Sequence, residues 1–153
     1  MATPNTTFVS GSILTATQVN NLAWGNVGYA SVTSALAGVT GGPSDLAGMS
    51  VTFTAVANRI YKATWKVTGS KNASGLDVSR VIFATSTGTQ LSKTDVSSPS
   101  GVYSLNLSGS TVFTVAAGSV TYKLQMASFS GTFTPDNGAT NPCVLVIEDI
   151  GAQ

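Results

Sequence analysis

Residues 46–69, LAGMSVTFTAVANRIYKATWKVTG, carry the clearest structural pattern in the chain. In both halves apolar side chains alternate with Ser, Thr and Lys, as in a strand with one buried and one solvent-exposed face. A short polar segment at 56–59 separates the halves, and its Asn58 tolerates a positive φ. We therefore predict a β-hairpin whose apolar face is covered by a second sheet. The residues predicted on that face are Met49, Val51, Phe53, Ala55, Tyr61, Ala63, Trp65 and Val67.

The rest of the chain repeats this pattern in short segments. About eight or nine strands are predicted, separated by turn signals such as those at 70–75, 97–101, 109–110 and 135–138. One of these strands, residues 101–108, is expected to direct Tyr103, Leu105 and Leu107 toward the core. Short strands at this spacing, with little helix, are typical of two packed antiparallel sheets. The predicted fold class is all-β, an antiparallel β-sandwich of the jelly-roll type.

The last predicted strand, residues 143–150, contains the apolar run VLVI. A strand without alternation is expected to be buried on both faces. Its own core can cover one face, and we hypothesise that partner subunits of a trimer cover the other. Cys143, the lone cysteine, starts this strand and is predicted to be a small core residue.

Residues 1–26 do not read as sheet. A capping-box pattern at 15–18 predicts one or two helical turns, and no acidic or basic side chain precedes Asp45. A free tail is normally charged or rich in Pro and Gly. We therefore predict an attachment arm at 1–26, extended or briefly helical, followed by a sandwich domain at 27–153. The alternative is that the arm caps the end of its own sandwich. The predicted partner-contact residues are Phe8, Ile13, Leu14, Leu22 and Trp24.

The composition excludes several classes of partner. Only 8% of the 153 residues are charged and the net charge is +1, so no long-range field attracts nucleic acid or an anionic membrane. No window approaches the roughly 18 consecutive apolar residues of a membrane span. The first residues also lack the basic start and apolar centre of a signal peptide. We expect neither a nucleic-acid nor a membrane partner.

Side chains that carry catalysis are scarce. Because the chain has no His, neither a Ser-His-Asp nor a Cys-His nucleophile system can be assembled. Of the six carboxylates only Glu148 and Asp149 are adjacent, and neighbours along a strand point to opposite faces. They cannot form the carboxylate pair of a glycosidase. No metal-ligand spacing or phosphate-binding loop is present. We predict that the protein is not an enzyme and has no catalytic, cofactor-binding or metal-binding residues.

Four segments resemble a family of small tailed-phage virion structural proteins, and modules found at the ends of phage minor tail proteins. They are LTATQVNNLAWG at 14–25, VTFTAVANRIYKATWKV at 51–67, GSVTYKL at 118–124 and VLVIEDIG at 144–151. The resemblance implies a trimeric jelly roll of the tumour-necrosis-factor and C1q type, displayed on a phage particle, and it brings no catalytic residues. The chain departs from the family where Ala23 replaces a typical Pro before Trp24.

These observations favour a virion structural protein made in the host cytoplasm. The leading hypothesis is a homotrimeric capsid decoration, or cementing, protein on the head surface, in contact with the major capsid protein. The chain has no long shaft or coiled coil, and its uncharged arm suits a capsomer junction. The alternative is a tail-tip or fibre module, in contact with tail proteins, that binds a host receptor or glycan through loops at 70–75, 97–101 and 134–140. A hydrolase of cell-wall sugar is the third, disfavoured class.

Overall fold

The computed structural model describes residues 25–34, 36–136 and 141–153. The predicted contact residues Phe8, Ile13, Leu14, Leu22 and Trp24 lie outside these ranges. Residues 25 and 26, predicted to belong to the arm, are the first two of a strand. Across the described ranges the chain forms eight strands and no helix. The strands are β1 (Gly25–Val32), β2 (Val39–Ala55), β3 (Arg59–Ala73), β4 (Asp77–Thr85), β5 (Gln90–Ser98), β6 (Gly101–Thr114), β7 (Gly118–Pro135) and β8 (Cys143–Ala152).

The strands form two packed antiparallel layers. Sheet I contains β1, β8, β3 and β6 in that order, and sheet II contains β2, β7, β4 and β5. The two layers are joined at one end, where Gly69–Ala73 of β3 also pairs with Gly131–Pro135 of β7. The chain crosses between the layers repeatedly, as in a jelly roll. This confirms the predicted fold class.

The prediction that residues 46–69 form a β-hairpin is wrong. The two strands exist, but β2 pairs with β7 while β3 pairs with β8 and β6, so they lie in opposite sheets. Their apolar faces meet across the core, where the rings of Phe53 and Tyr61 are 5.1 Å apart. Alternation specifies which face of a strand is buried, and it does not specify the neighbouring strand. The turn itself has Asn58 at φ 59, as its sequence predicts.

The core between the sheets is rich in aromatic rings. Trp65 of sheet I stacks on Phe83 of sheet II at 5.8 Å, and Phe83 stacks on Tyr122 at 5.2 Å. Trp65 and Tyr61 are almost fully buried, which confirms their prediction as core residues. Cys143 is buried as well, and burial raises the pKa of its thiol. The stack of Trp65 on Phe83 joins the two sheets across the core.

Two strands differ from their predicted form. β6 runs without a break through Gly109 and Ser110, where a turn was expected, because the pairing with β3 continues through both residues. Tyr103, predicted inward, is 40% exposed near the start of this edge strand. β7 continues to Pro135, and part of the turn predicted at 135–138 lies outside the described residues.

Candidate subunit interface

The outward face of sheet I carries several apolar side chains. Across its middle, Tyr29 of β1 lies opposite Val146 of β8, and Val146 lies opposite Thr64 of β3. Tyr29 is 58% exposed, and Val112 at the β6 edge is 59% exposed. We call this surface the sheet I face. Its central members are Tyr29, Lys62, Thr64, Val112, Val144, Val146 and Glu148.

The predicted two-sided burial of the VLVI run is seen on one side only. Leu145 and Ile147 point into the core and are fully buried. Val144 and Val146 point outward onto the sheet I face and are half-buried. This strand therefore presents two β-branched apolar side chains on the outward side of the sheet.

The charges of the sheet I face are not engaged in ion pairs. Lys62 and Glu148 lie directly opposite each other in the β3–β8 register and are half-buried, yet no salt bridge within 4.0 Å joins either of them to a described residue. Lys66 donates to the side-chain oxygen of Asn141 at 2.8 Å. The exposed Tyr29 and Val112 make this face chemically suited to a protein partner, because aromatic side chains are enriched in protein interfaces.

The outward face of sheet II has the opposite character. Lys123 donates to Asp45 at 2.8 Å, and Arg80 holds Asp95 in a bidentate pair at 2.6 and 2.9 Å. The hydrogen bond from Arg80 lowers the pKa of Asp95 to about 2. The Arg80 guanidinium also lies 5.1 Å above the ring of exposed Phe129. Since its charges pair with one another, this face is adapted to water.

The first strand places residue 25 at one end of sheet I. β1 is an edge strand of sheet I, and its first residue, Gly25, pairs with Asp149 near the end of β8. The chain that precedes Gly25 therefore joins the domain at the end where β8 finishes and β3 begins. We call this the arm end. The opposite, distal end carries the connections at 74–76 and 99–100.

A polar groove of about 440 Å³ lies toward the distal end. It forms where β3 exchanges its partner β8 for β7, which leaves a gap beside Thr68. Its walls carry hydroxyls, amides and one carboxylate, so it can make hydrogen bonds to a polar ligand. Ser70 and Thr134 belong to segments predicted to be exposed loops, but this prediction is wrong for both, because they are paired strand residues of β3 and β7. The polar lining residues are Thr68, Ser70, Ser104, Asn106, Thr134, Asp136 and Asn141.

Groups suited to chemistry are dispersed in the described structure. Asp149 is buried and paired with Arg59, whereas Glu148 points outward, so this adjacent pair lies on opposite faces as the sequence predicts. Within residues 25–34, 36–136 and 141–153, no three His, Cys, Asp or Glu residues come together in a way that could hold a metal ion. No helix long and apolar enough to cross a membrane occurs in the same ranges.

The sequence predicts a partner-facing role for β8, which stays a prediction, and it does not single out Tyr29 and Val112 on the same face. Tyr29 stands in a short, weakly alternating segment, so its face cannot be assigned without knowing that β1 pairs with β8. Val112 belongs to the part of β6 that follows the expected turn. Because a turn was expected before it, the pairing of Val112 with Lys62 could not be predicted. The predicted arm residues lie outside the described structure, and their role stays a prediction.

Comparisons with known proteins bear on the fold. No protein-family description matches the sequence, and no curated protein matches it. Among solved structures, the chain is similar to Eiger TNF from S. frugiperda, with a TM-score of 0.54 and 11% identity over 84% of this chain and 95% of that one. It also matches infectious bursal disease virus Gt strain at a TM-score of 0.35 and 11% identity, over 82% of this chain and 36% of that one. The second likeness is too low to carry an argument, and the first shows that this chain has a jelly-roll fold similar to that of a TNF protein.

Proposed function

We propose that this protein is a structural component of a tailed-phage virion, a homotrimer that decorates the capsid surface and binds the major capsid protein through its N-terminal arm. The observation that carries the proposal is the sheet I face, with exposed Tyr29 and Val112 and the unpaired charges of Lys62 and Glu148. The proposal that the particle is a tailed phage rests on the resemblance of four segments to phage virion proteins. The scarcity of catalytic side chains agrees with a role that is not enzymatic.

The trimer is proposed to form through the sheet I face. Each apolar side chain covered there stabilises the assembly by about 25 cal/mol per Å² of apolar surface removed from water. A face of one subunit that meets a different patch of the next closes into a ring when the rotation is one third of a turn. Three subunits then present three arms from their arm ends. Three linked attachments increase avidity without any new contact type.

Deletion of residues 2–24 tests the role of the arm, because this cut leaves β1 intact from Gly25. We expect the truncated protein to keep the mass of a trimer and its β-sheet circular dichroism spectrum, and to lose binding to phage heads that lack the protein. The full-length chain added to the same heads is the control. Normal binding by the truncated protein would refute the proposed role of the arm, and a monomeric full-length chain would refute the trimer.

The polar groove favours a second candidate, the tail-tip or fibre module that binds a receptor glycan. Its hydroxyl, amide and carboxylate groups match the hydrogen-bonding groups of a sugar, and it lies toward the distal end, away from the arm end. Gold-labelled antibody against the protein, imaged on intact particles, separates the candidates. Label over the whole head supports the decoration protein, and a few labels at the tail support the second candidate.

A further inference from the structure

Next to the aromatic core, at the distal end, lies a group of buried polar side chains. Lys71 of β3 is fully buried and enters from sheet I. Asp77 and Ser79 of β4, Ser98 of β5 and Ser128 of β7 are buried on the inward face of sheet II. We call these five residues the polar core. Buried polar groups are normally hydrogen-bonded, so each of these side chains requires a partner.

Three members of the polar core have part of their hydrogen bonds accounted for. The Lys71 ammonium donates to the carbonyl oxygens of Ser98 at 3.4 Å and Pro99 at 2.9 Å, which uses two of its three protons. The Ser128 hydroxyl donates to Asp77 at 2.7 Å, and the backbone N–H of Ser130 donates to the other Asp77 oxygen at 2.7 Å. Burial opposes the ionisation of Asp77, but these donors outweigh it and hold its pKa below the ordinary value.

The remaining donors point to a missing acceptor. The hydroxyls of Ser79 and Ser98 are fully buried and have no hydrogen-bond partner among the described residues. Ser98 lies opposite Asp77, and Ser79 lies opposite Val96, so the two serines are diagonal neighbours on one face of the β4–β5 pair. Diagonal neighbours have Cβ atoms at most about 7–8 Å apart. One molecule about 2.8 Å from each hydroxyl oxygen spans that separation.

We infer that the polar core holds one internal water molecule, which accepts or donates a hydrogen bond at Ser79 Oγ, Ser98 Oγ and the third proton of Lys71. A buried water typically makes about three such bonds to groups that otherwise lack partners. We infer a neutral ligand because the buried polar core already contains one residue of each charge sign, Lys71 and Asp77. The water links sheet I to sheet II at the distal end, where Lys71 also fixes the β5–β6 connection.

A crystal structure at atomic resolution, grown from a bromide solution and measured at the bromine absorption edge, tests the inference. We expect a water-sized density peak within hydrogen-bonding distance of Ser79 Oγ, Ser98 Oγ and Lys71 Nζ, without anomalous signal. An anomalous peak there would mean a halide and overturn the inference. A Ser79 hydroxyl bonded directly to Ser128, with no density between Ser79 and Ser98, would also overturn it.

Relaxation dispersion of ¹⁷O in solution gives a second readout that does not depend on crystals. The double variant Ser79→Ala/Ser98→Ala is expected to lose one long-lived water per subunit relative to the wild type. The matched control is Ser97→Ala, on the exposed face of the same strand as Ser98, which should keep it. An unchanged dispersion amplitude in a folded double variant contradicts the inference. If that variant fails to fold, the wild-type crystal decides.

Discussion

The Arg59 guanidinium and the Asp149 carboxylate form a bidentate ion pair, with distances of 2.8 and 2.6 Å, that is almost fully buried at the arm end. The same carboxylate accepts the backbone N–H of Gly151 at 2.9 Å. The pair therefore fixes the start of β3 to the end of β8. The strands β3 and β8 are the two central strands of sheet I. The pair therefore lies on the core side of the strands that form the sheet I face.

Removal of one partner of this pair is expected to be costly. Arg59→Ala leaves the Asp149 carboxylate buried without its main counter-charge, and such a loss typically destabilises by about 3–5 kcal/mol. The matched control is Arg80→Ala, which breaks the exposed pair with Asp95 and is expected to cost no more than about 1 kcal/mol. Urea unfolding of the two variants measures the difference. Equal, small losses would contradict the structural role of Arg59.

The Arg80–Asp95 pair makes stability depend on pH. Because the pKa of Asp95 in the folded protein is about 2, below its ordinary value of 3.8, the ionised carboxylate stabilises the fold above that ordinary value. This stabilisation is lost as the pH falls from about 4 toward 2. In Asp95→Asn and in Arg80→Gln we expect a shallower fall in the free energy of unfolding over this range. If the free energy of unfolding of both variants falls with pH as steeply as that of the wild type, the Arg80–Asp95 pair is not the cause of the pH dependence.

Among the elements, β3 and β7 each pair with three strands and together join the two sheets. Strand β3 pairs with β8 and β6 along most of its length, and its last residues pair with β7 of the other sheet. Trp65 at its centre packs beneath β6, where Gly109 occupies the opposite register position. A Cβ added at Gly109 would lie 2.6 Å from Trp65 Cζ2 and 2.6 Å from Thr94 Oγ1. The strand thus continues through Gly109 because only glycine allows this approach.

Substitution of Gly109 tests this packing. Gly109→Ala forces Trp65 or β5 to move, and overpacking of this kind costs about 1–3 kcal/mol. Gly75→Ala, at a position where an added Cβ meets nothing within 4 Å, should change stability by no more than about 0.5 kcal/mol. Thermal unfolding followed by tryptophan fluorescence reports both effects. Equal stability of the Gly109→Ala protein and the Gly75→Ala control would show that β6 accommodates the added methyl group without loss of stability.

At the level of the whole molecule, the two outward faces differ in how their charges are used. The sheet II face pairs its own charges, while Lys62 and Glu148 on the sheet I face form no ion pair with a described residue. Around a threefold axis, Lys62 of one subunit can meet Glu148 of the next. Such complementary charges fix register, and like charges brought together oppose association by several kcal/mol.

Charge reversal tests this arrangement. We expect Lys62→Glu and Glu148→Lys each to dissociate the proposed trimer by creating like-charge contacts, and the double variant to restore it. Lys93→Glu on the sheet II face is the control and should keep the trimer mass. Sedimentation velocity gives the mass, and circular dichroism checks the fold. If both single variants keep the wild-type mass at every concentration, the sheet I face is not the subunit interface.

The alternation of apolar and polar residues was enough to predict the all-β sandwich and to place Trp65, Tyr61 and Val67 in its core, because side chains along a strand point to alternate sides whatever its neighbours are. The alternation could not predict which strands pair with one another. Pairing of β2 with β7, or of β1 with β8, joins segments far apart in the chain, and many alternating strands satisfy the same pattern. Only the tertiary structure therefore brought Tyr29 beside Val146, separated β2 from β3, and gathered Lys71 and Ser98 into one polar core.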